Sequence, residues 1–578
     1  MDFQLIKGSR SRFLAGIIIL MAAVFVVRLF QLQVIQNEYY TDLANQEQVK
    51  QRVLPAERGL IYALDGDTPV QMVLNQAVYT VYADPAIIVE PDKVVNTIRT
   101  IAGGNAKSNI TDLVARTESR YQILPTKISR SQADKIRAEK LQGIGFQETS
   151  QRVYPENGLA GQLLGFVDAD GIGRYGLEGG MNDQLKGTDG LRKAVTDVAN
   201  VPLTIGDENV EVPAQHGRNV VLSIDRNIQS KAEQALADGL SRTGATHGSI
   251  MIMNPNNGQV MGMANLPSYN PATYNTVTDA ADFNNNVISK PYEPGSDIKT
   301  FTMATGIDKN VVKASDTYNN TDTIRVDDRT IGNATKGHTG IITFQTALNW
   351  SLNTGFVTIA QRLGDGENIT LGARQTMYEY FHDRFRMGQL TGIELAGEQA
   401  GTIISPDDAQ GNAVRYSNMS FGQGMDVTMV QVTSAFASIV NGGKYYKPTM
   451  IAGTMTDSGE YQLVDPAQPI AQTISPSTSD QIREMTYLGR QSGFPNVDKD
   501  GYRVGGKTGT SQVIKNGAYS ETDTIGTYLG YGGGSTPEYV IMVEVSADGK
   551  ELQGARDALP IFTDMSNWLL DYLKVAPN

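Results

Sequence analysis

Residues 291–299 read PYEPGSDIK, and this stretch carries the first signal of both the fold and the chemistry. Pro294 and Gly295 favour a turn and the residues after them favour a helix, which puts Ser296 in the first helical turn. The N-terminus of a helix stabilises an oxyanion that develops beside it. Lys299 stands three residues later, so its amine lies on the same helix face. A lysine amine accepts a serine proton only where burial and neighbouring cations lower its pKa.

Two further short motifs follow, and each is weak alone, as Ser-x-x-Lys is. Ser351-Leu-Asn353 presents a hydroxyl and an amide at one turn, although an ordinary loop or helix cap has the same pattern. Residues 503–511 read RVGGKTGTS, which is also compatible with a plain glycine-rich turn. The three motifs gain meaning only from their order and spacing along the chain.

A phosphate-binding loop is the rival interpretation of the third motif. Residues 501–508 formally match the pattern GxxxxGK[ST]. That loop needs a strand before it and a helix that begins at its lysine. The residues after Lys507 are Thr, Gly, Thr, Ser, Gln and Val, which favour a strand. We therefore predict a strand that carries Lys507, and no nucleotide site.

Together the motifs resemble the signature of the serine penicillin-recognising enzymes, and the chain resembles the class B penicillin-binding proteins. Ser-x-Asn follows Ser-x-x-Lys by about 55 residues, and Lys-Thr-Gly follows about 155 residues later. The YEPGS stretch at 292–296 resembles the division-type (septal) branch. Further segments that resemble the family, from about residue 13 to the C-terminus, are 58–61 (RGLI), 176–179 (GLEG), 185–190 (LKGTDG), 266–271 (LPSYNP) and 420–424 (SFGQG).

The resemblance implies a role for each motif residue in peptidoglycan D,D-transpeptidation. The family's substrate is a glycan-linked stem peptide that ends in D-Ala-D-Ala. Ser296 is then the nucleophile and Lys299 its proton acceptor. Ser351 relays a proton to the leaving amine with electrostatic support from Lys507, and Asn353 holds the donor peptide amide.

The same resemblance implies how the substrate is bound and what else the protein meets. Thr508, Gly509 and Thr510 bind the substrate, the two threonines at its carboxylate, and the backbone N–H groups of Ser296 and Thr510 form the oxyanion hole. Neither a metal nor an organic cofactor is required. Expected partners are β-lactam antibiotics as inhibitors, a polytopic glycan polymerase, other division proteins and the cytoplasmic membrane.

The chain departs from the family pattern beside the nucleophile. Asp297 and Ile298 stand where the family usually has Thr and then Phe, Met or Val. Asp297 is offset by ~100° from Ser296 on a helix, and an acid near a helix N-terminus suits the dipole. If it turned inward it would raise the Lys299 pKa. A catalytically impaired scaffold of the division machinery is therefore the alternative function.

The expected fold class is α/β (α+β). Apolar runs at 248–253 and 259–264 flank NPNNG, which predicts a hairpin, and strand patterns near the C-terminus predict an antiparallel sheet covered by helices. Before this transpeptidase domain we expect a single transmembrane helix and an elongated α+β pedestal. The predicted boundaries are a cytoplasmic tail at 1–12, an anchor at 13–35, a pedestal or dimerisation-type module at 36–215 and the transpeptidase domain at 216–578.

The anchor is predicted from residues 13–27, FLAGIIILMAAVFVV, after which apolar residues continue to Ile35. A bilayer is spanned by roughly 20 predominantly apolar residues. Lys7, Arg10 and Arg12 precede the run, so the N-terminus is expected in the cytoplasm and the rest outside. No small-x-small cleavage site follows, which favours an uncleaved, single-pass anchor over a signal peptide.

Composition excludes several other functions. The net charge of −13, with no basic stripe, argues against nucleic acid as a partner. The chain has no Cys, and its four His form no HExxH pattern, which excludes thiolate catalysis and gives a zinc peptidase no support. A serine β-lactamase is normally a compact soluble enzyme, and a bifunctional polymerase needs a glycosyltransferase domain that residues 51–215 do not suggest.

Overall fold

The computed structural model describes residues 7–40, 49–195, 210–515 and 517–578. The chain divides into two units, one of residues 1–57 with 187–217 and one of residues 58–186 with 218–578. Both helices and sheets occur in the described residues, which confirms the mixed α/β class. The four domain boundaries given above stay a prediction.

The first unit contains the apolar N-terminal helix, Lys7–Phe30, which continues as a π-helical turn at Gln31–Ile35. Within the described residues one stretch, Arg12–Ile35, is long and apolar enough to cross a membrane, with a mean hydropathy of 2.7. The unit also has a three-stranded antiparallel sheet, whose strands are Val49–Leu54, Gly190–Val195 and Val210–Val212.

The second unit begins with a sheet of eight strands to which both halves of the chain contribute. Asn219–Asp225 pairs in parallel with Ile61–Asp65 and antiparallel with Ile451–Met455. The long strand Thr68–Ala83 extends the sheet and pairs with Ile144–Val153. Its remaining strands are Tyr461–Leu463, Gln122–Ile123 and Ile128–Ser129. The helices Pro91–Ala102, Ile110–Val114 and Arg130–Ala138 bury a small core against it.

A buried ion cluster explains two of the segments singled out in the sequence, RGLI and GLEG. Glu178 is fully buried and accepts from Arg58 Nε and from Arg152 Nε, each at 2.7 Å. A buried carboxylate needs such partners, because removal of one leaves an uncompensated charge. The cluster therefore joins residue 58 to the strand Ile144–Val153 and to the short helix Gly176–Gly180.

The catalytic half of this unit is organised by an antiparallel sheet of five strands, labelled here in chain order. They are β1 (His247–Met253), β2 (Val260–Leu266), β3 (Arg503–Lys515), β4 (Ala518–Gly533) and β5 (Pro537–Ser546). Their order across the sheet is β2-β1-β5-β4-β3. The strand predicted at Lys507 and the β1–β2 hairpin are both confirmed.

Helices cover both faces of the five-stranded sheet, as predicted. Successive side chains of a strand point to opposite faces. Ile250 and Ile252 accordingly join the core formed with Arg226–Thr243 and Leu559–Tyr572, whereas Met251 and Met253 join the core on the other face.

The core that contains Met251 and Met253 also contains the helix α1 (Lys299–Asp308), which directly follows the nucleophile candidate. The fully buried helix Met429–Val440 belongs to the same core. Further α-helices that contribute to it are Gly161–Leu164, Gly176–Gly180, Asn182–Lys186, Asn286–Ser289, Phe344–Asn349, Asn353–Arg362, Leu371–Tyr378, Ala413–Met419 and Pro476–Gly493. Short strand pairs complete the unit: Thr317–Asn320 with Gly340–Thr343, Thr323–Val326 with Arg329–Gly332, Lys444–Tyr445 with Ala471–Gln472, and Phe166–Val167 with Gly173–Arg174.

Candidate active site

Ser296 lies in a short 3-10 turn, Gly295–Ile298, that runs directly into α1. The first helical turn was predicted there, and the structure gives it the tighter 3-10 geometry. Gly295 has a φ of 61° and packs against β3, where an added Cβ would lie 2.8 Å from the carbonyl oxygen of Thr510. Only glycine tolerates that combination. This close approach brings Ser296 to the middle of β3.

The Lys299 amine is the centre of the site. Its Nζ lies 2.9 Å from Ser296 Oγ, 3.0 Å from Ser351 Oγ and 2.7 Å from Asn353 Oδ1. It also lies 2.7 Å from the carbonyl oxygen of Ser351. An ammonium has three hydrogens, so it cannot donate to all four oxygens at once. A neutral amine also makes three hydrogen bonds, but it donates to only two of these oxygens and accepts a hydrogen bond from one of the two hydroxyls.

Burial favours the neutral form of that amine. Lys299 is 1% exposed, and desolvation holds its pKa well below the ordinary value for lysine. The cation of Lys507 lowers the pKa of Lys299 further. Both conditions that the sequence reasoning set for a lysine base are therefore present.

Ser351 and Asn353 reach Lys299 from the start of the helix Asn353–Arg362. Ser351 has a φ of 55°, an uncommon backbone conformation for a residue with a side chain, and such strain concentrates at functional sites. The Asn353 amide is oriented from both ends, because Nδ2 donates to Gly332 O at 2.9 Å while Oδ1 faces Lys299. One amide hydrogen of Asn353 is left for a ligand.

Lys507, Thr508, Gly509 and Thr510 form the middle of β3. Lys507 is buried, and its Nζ donates to the Thr508 carbonyl oxygen at 2.9 Å. Burial lowers the pKa of Lys507 to about 8, and the Asp297 carboxylate opposes that shift. Thr508 is half-buried and Thr510 is exposed, with Thr510 Oγ1 accepting from the Gly554 N–H at 3.3 Å.

Asp297 faces the sheet. It is fully buried, and its Oδ2 accepts a hydrogen bond of 2.7 Å from Thr527 Oγ1 on β4. Burial raises the pKa of Asp297 to about 7, against the opposing effects of that hydrogen bond and of Lys507. The lowered pKa of Lys299 is caused by burial and by Lys507.

The Lys299 amine is therefore surrounded by Ser296, Ser351 and Asn353, and β3 lies beside this group. Three contributors were missed by the sequence reasoning: Gly332, which orients Asn353, Thr527, which binds Asp297, and Phe356, whose ring centre is 5.6 Å from Lys299 Nζ. None belongs to a short motif. The signals that found the site were local spacings, which say nothing about neighbours supplied by other elements.

Comparison with known proteins gives the same assignment. The penicillin-binding protein transpeptidase domain matches residues 248–567, and the penicillin-binding protein dimerisation domain matches residues 53–222. Stage V sporulation protein D of Bacillus subtilis is 31% identical over 572 residues, which cover 98% of this chain and 85% of that protein. The peptidoglycan D,D-transpeptidase FtsI of Escherichia coli is 26% identical over 584 residues, with coverage of 98% and 92%.

A solved structure shares the fold at lower identity. Penicillin-binding protein 2X from Streptococcus thermophilus superposes with a TM-score of 0.72 at 22% identity, over 91% of this chain and 80% of that one. The matched domains cover residues 53–222 and, over residues 248–567, the site described above. The chain therefore belongs to the class B penicillin-binding proteins, with a dimerisation domain followed by a penicillin-binding transpeptidase domain.

Proposed function

We propose that the protein is a membrane-anchored peptidoglycan D,D-transpeptidase that crosslinks stem peptides through an acyl-enzyme on Ser296, in septal cell-wall synthesis. The observation that carries this proposal is the position of the Lys299 amine, which is buried and lies 2.9 Å from the Oγ of the partly exposed Ser296. A serine hydroxyl needs an adjacent base, and a desolvated lysine is one of the few groups that can serve.

Acylation starts when Ser296 Oγ attacks the carbonyl carbon of the penultimate D-alanine, and Lys299 Nζ takes the hydroxyl proton. The tetrahedral intermediate then collapses to an ester as the C–N bond to the terminal D-alanine breaks. Ser351 Oγ, at 3.0 Å from Lys299 Nζ, is placed to pass a proton to the departing amine. The nearby Lys507 cation disfavours protonated Lys299, which helps it to give the proton up.

The oxyanion of that intermediate is assigned to the backbone N–H groups of Ser296 and Thr510. The contact between Gly295 and Thr510 O supports this assignment, because it brings the two backbones together. A donor of this type is commonly worth about 3 kcal/mol in the transition state. Thr508, Gly509 and Thr510 are proposed to bind the substrate, the two threonines at its carboxylate, and the remaining Asn353 amide hydrogen is proposed to bind the donor peptide.

Deacylation completes a ping-pong cycle. A side-chain amine of a neighbouring stem peptide attacks the ester carbonyl, Lys299 takes the amine proton and returns it to Ser296 Oγ, and the C–O bond breaks so that Ser296 leaves as the hydroxyl. Crosslinked peptide and free enzyme result. β-Lactams are proposed to acylate the same serine, because the ring amide stands in for the D-Ala-D-Ala bond.

The full-length protein in detergent is expected to release D-alanine from a pentapeptide donor and to form a new amide product when an amine acceptor is added. Prior exposure to penicillin is expected to abolish both signals, because a single serine carries both half-reactions. The measurement is mass spectrometry of donor, product and protein.

If the protein is instead a catalytically impaired scaffold of the division machinery, the opposite result is expected in that experiment. This alternative is motivated by Asp297, the acid that stands beside the nucleophile. A folded protein with neither D-alanine release nor a penicillin adduct would support the scaffold and contradict the transpeptidase.

We further propose that the N-terminal helix anchors the protein in the cytoplasmic membrane with its N-terminus inside, and that residues 36–215 bind a glycan polymerase and other division proteins. The helix Arg12–Ile35 and the basic residues before it support the topology. The lack of any catalytic motif within 36–215 supports a partner-binding role for that module.

A variant that lacks residues 36–215 but keeps the anchor is expected to be exported and yet to fail in septal growth. Because the deletion removes the strand Ile61–Asp65 that pairs with Asn219–Asp225, a penicillin adduct on Ser296 is required as proof that its transpeptidase domain is folded. Protease added to spheroplasts should digest its transpeptidase domain, as it digests that of the full chain. Protection of that domain in both proteins would contradict the topology. Normal septa in cells that depend on the shortened protein would contradict the partner role.

A further inference from the structure

Asp297 is an unusual neighbour for a nucleophile. Its carboxylate is fully buried, and only one of its two oxygens accepts a hydrogen bond from the described residues. Oδ2 accepts from Thr527 Oγ1 at 2.7 Å, whereas Oδ1 has no hydrogen-bond partner within the described part of the chain. Burying a carboxylate in this way is costly unless a nearby charge compensates. The compensating charge has to come from an element packed against the turn Gly295–Ile298.

The strand β3 supplies it. Lys507, Gly509 and Ser511 alternate along β3 and are all buried, so they share one face. On that face an added Cβ at Gly509 would lie 2.7 Å from Asp297 Oδ2. Asp297 therefore lies directly beneath Gly509, one position along the face from Lys507.

We propose that Asp297 is a positioning residue that ties the turn carrying Ser296 to β3 and β4 and acts on the reaction through Lys507. This inference rests on the proposed function, since it assigns a way of tuning the same site. The glycine at 509 is part of the arrangement, because a side chain there would occupy the space of the carboxylate.

The charges form a chain of three groups. The Asp297 carboxylate favours the charged form of Lys507, whose pKa burial lowers to about 8. The charged Lys507 in turn lowers the pKa of Lys299, the proposed base. Above its own pKa of about 7, the Asp297 carboxylate thus helps to keep Lys507 cationic, and the Lys507 cation adds to the burial that keeps Lys299 neutral.

The other titratable groups around Asp297 do not reproduce this effect. The pKa values of Tyr292 and Tyr528 are raised by burial first and by the Asp297 charge among further causes, so both rings stay neutral through the working range. Glu544 on β5 lies opposite Thr527 in the strand register and is also buried.

The test is the pH dependence of penicillin acylation by the full-length protein in detergent. Asp297→Asn removes the charge of the side chain and keeps its shape. Without that carboxylate nothing from Asp297 opposes the effect of burial, so the pKa of Lys507 falls further. The alkaline limb of the pH profile of acylation then moves to lower pH. We expect acylation at pH 8 to fall about tenfold, with less than about threefold change at pH 6.5. Asp297→Thr, which restores the residue usual in the family, is expected to shift the limb in the same direction.

Glu544→Gln is the matched control, because it removes another buried carboxylate, on β5 opposite Thr527, and no hydrogen bond or ion pair joins Glu544 to Lys507 among the described residues. Its alkaline limb should coincide with that of the wild type. Coincident limbs for wild type, Asp297→Asn and Asp297→Thr would overturn the inference and leave Asp297 a packing residue. Absence of acylation in the wild type at every pH would overturn the proposed function itself.

Discussion

Replacement of Lys299 by alanine is expected to slow acylation of Ser296 by penicillin about 10³-fold or more. The amine is the only group among the described residues that lies within hydrogen-bonding distance of Ser296 Oγ, at 2.9 Å, so its loss leaves the hydroxyl without a base. It also leaves the Ser351 hydroxyl and the Asn353 amide without the group that they share. The rate of adduct formation, followed by intact-protein mass spectrometry, is the measurement.

Two matched variants separate chemistry from folding. Lys299→Arg retains a cation that does not deprotonate at neutral pH, and it should be as inactive as the alanine variant. Lys309→Ala removes an exposed lysine that directly follows the C-terminal end of α1. This variant should be acylated at the wild-type rate. A Lys299→Ala protein that acylates within threefold of the wild type would refute the assignment of the base.

Much of the site was predictable because its members are encoded in short patterns. Ser296 and Lys299 share a helix face, Ser351 and Asn353 share one turn, and the residues after Lys507 have strand-forming side chains. Each pattern is weak alone, and it was their common order along the chain that identified the family. The hairpin β1–β2 was predictable for the same reason, since its turn residues lie between its own strands.

The relations between distant segments were not predictable. The hydrogen bond from Thr527 to Asp297 spans 230 positions, and nothing local to either residue indicates the other. From the sequence, Asp297 was related only to Ser296 and Lys299, its neighbours along the same turn, and not to β3. The shared sheet of Ile61–Asp65 and Asn219–Asp225 was missed likewise, because a parallel pairing has no turn that marks it.

Replacement of Ser296 by alanine is expected to have the largest effect of all, the complete loss of a covalent penicillin adduct. No thiol can substitute for the hydroxyl, because the chain has no cysteine. Ser351 Oγ is the only other side-chain hydroxyl hydrogen-bonded to Lys299 among the described residues, which makes Ser351→Ala the matched control. That variant should still form an adduct on Ser296, more slowly, because only the proton relay is lost.

The most direct test of the account is therefore the mass of the protein after penicillin treatment, with the modified peptide mapped in the wild type, Ser296→Ala and Ser351→Ala. The account predicts one adduct in the wild type, on the peptide that contains Ser296, the same peptide in Ser351→Ala and no adduct in Ser296→Ala. An adduct of unchanged yield in Ser296→Ala, or one that maps to another serine in the wild type, would contradict it.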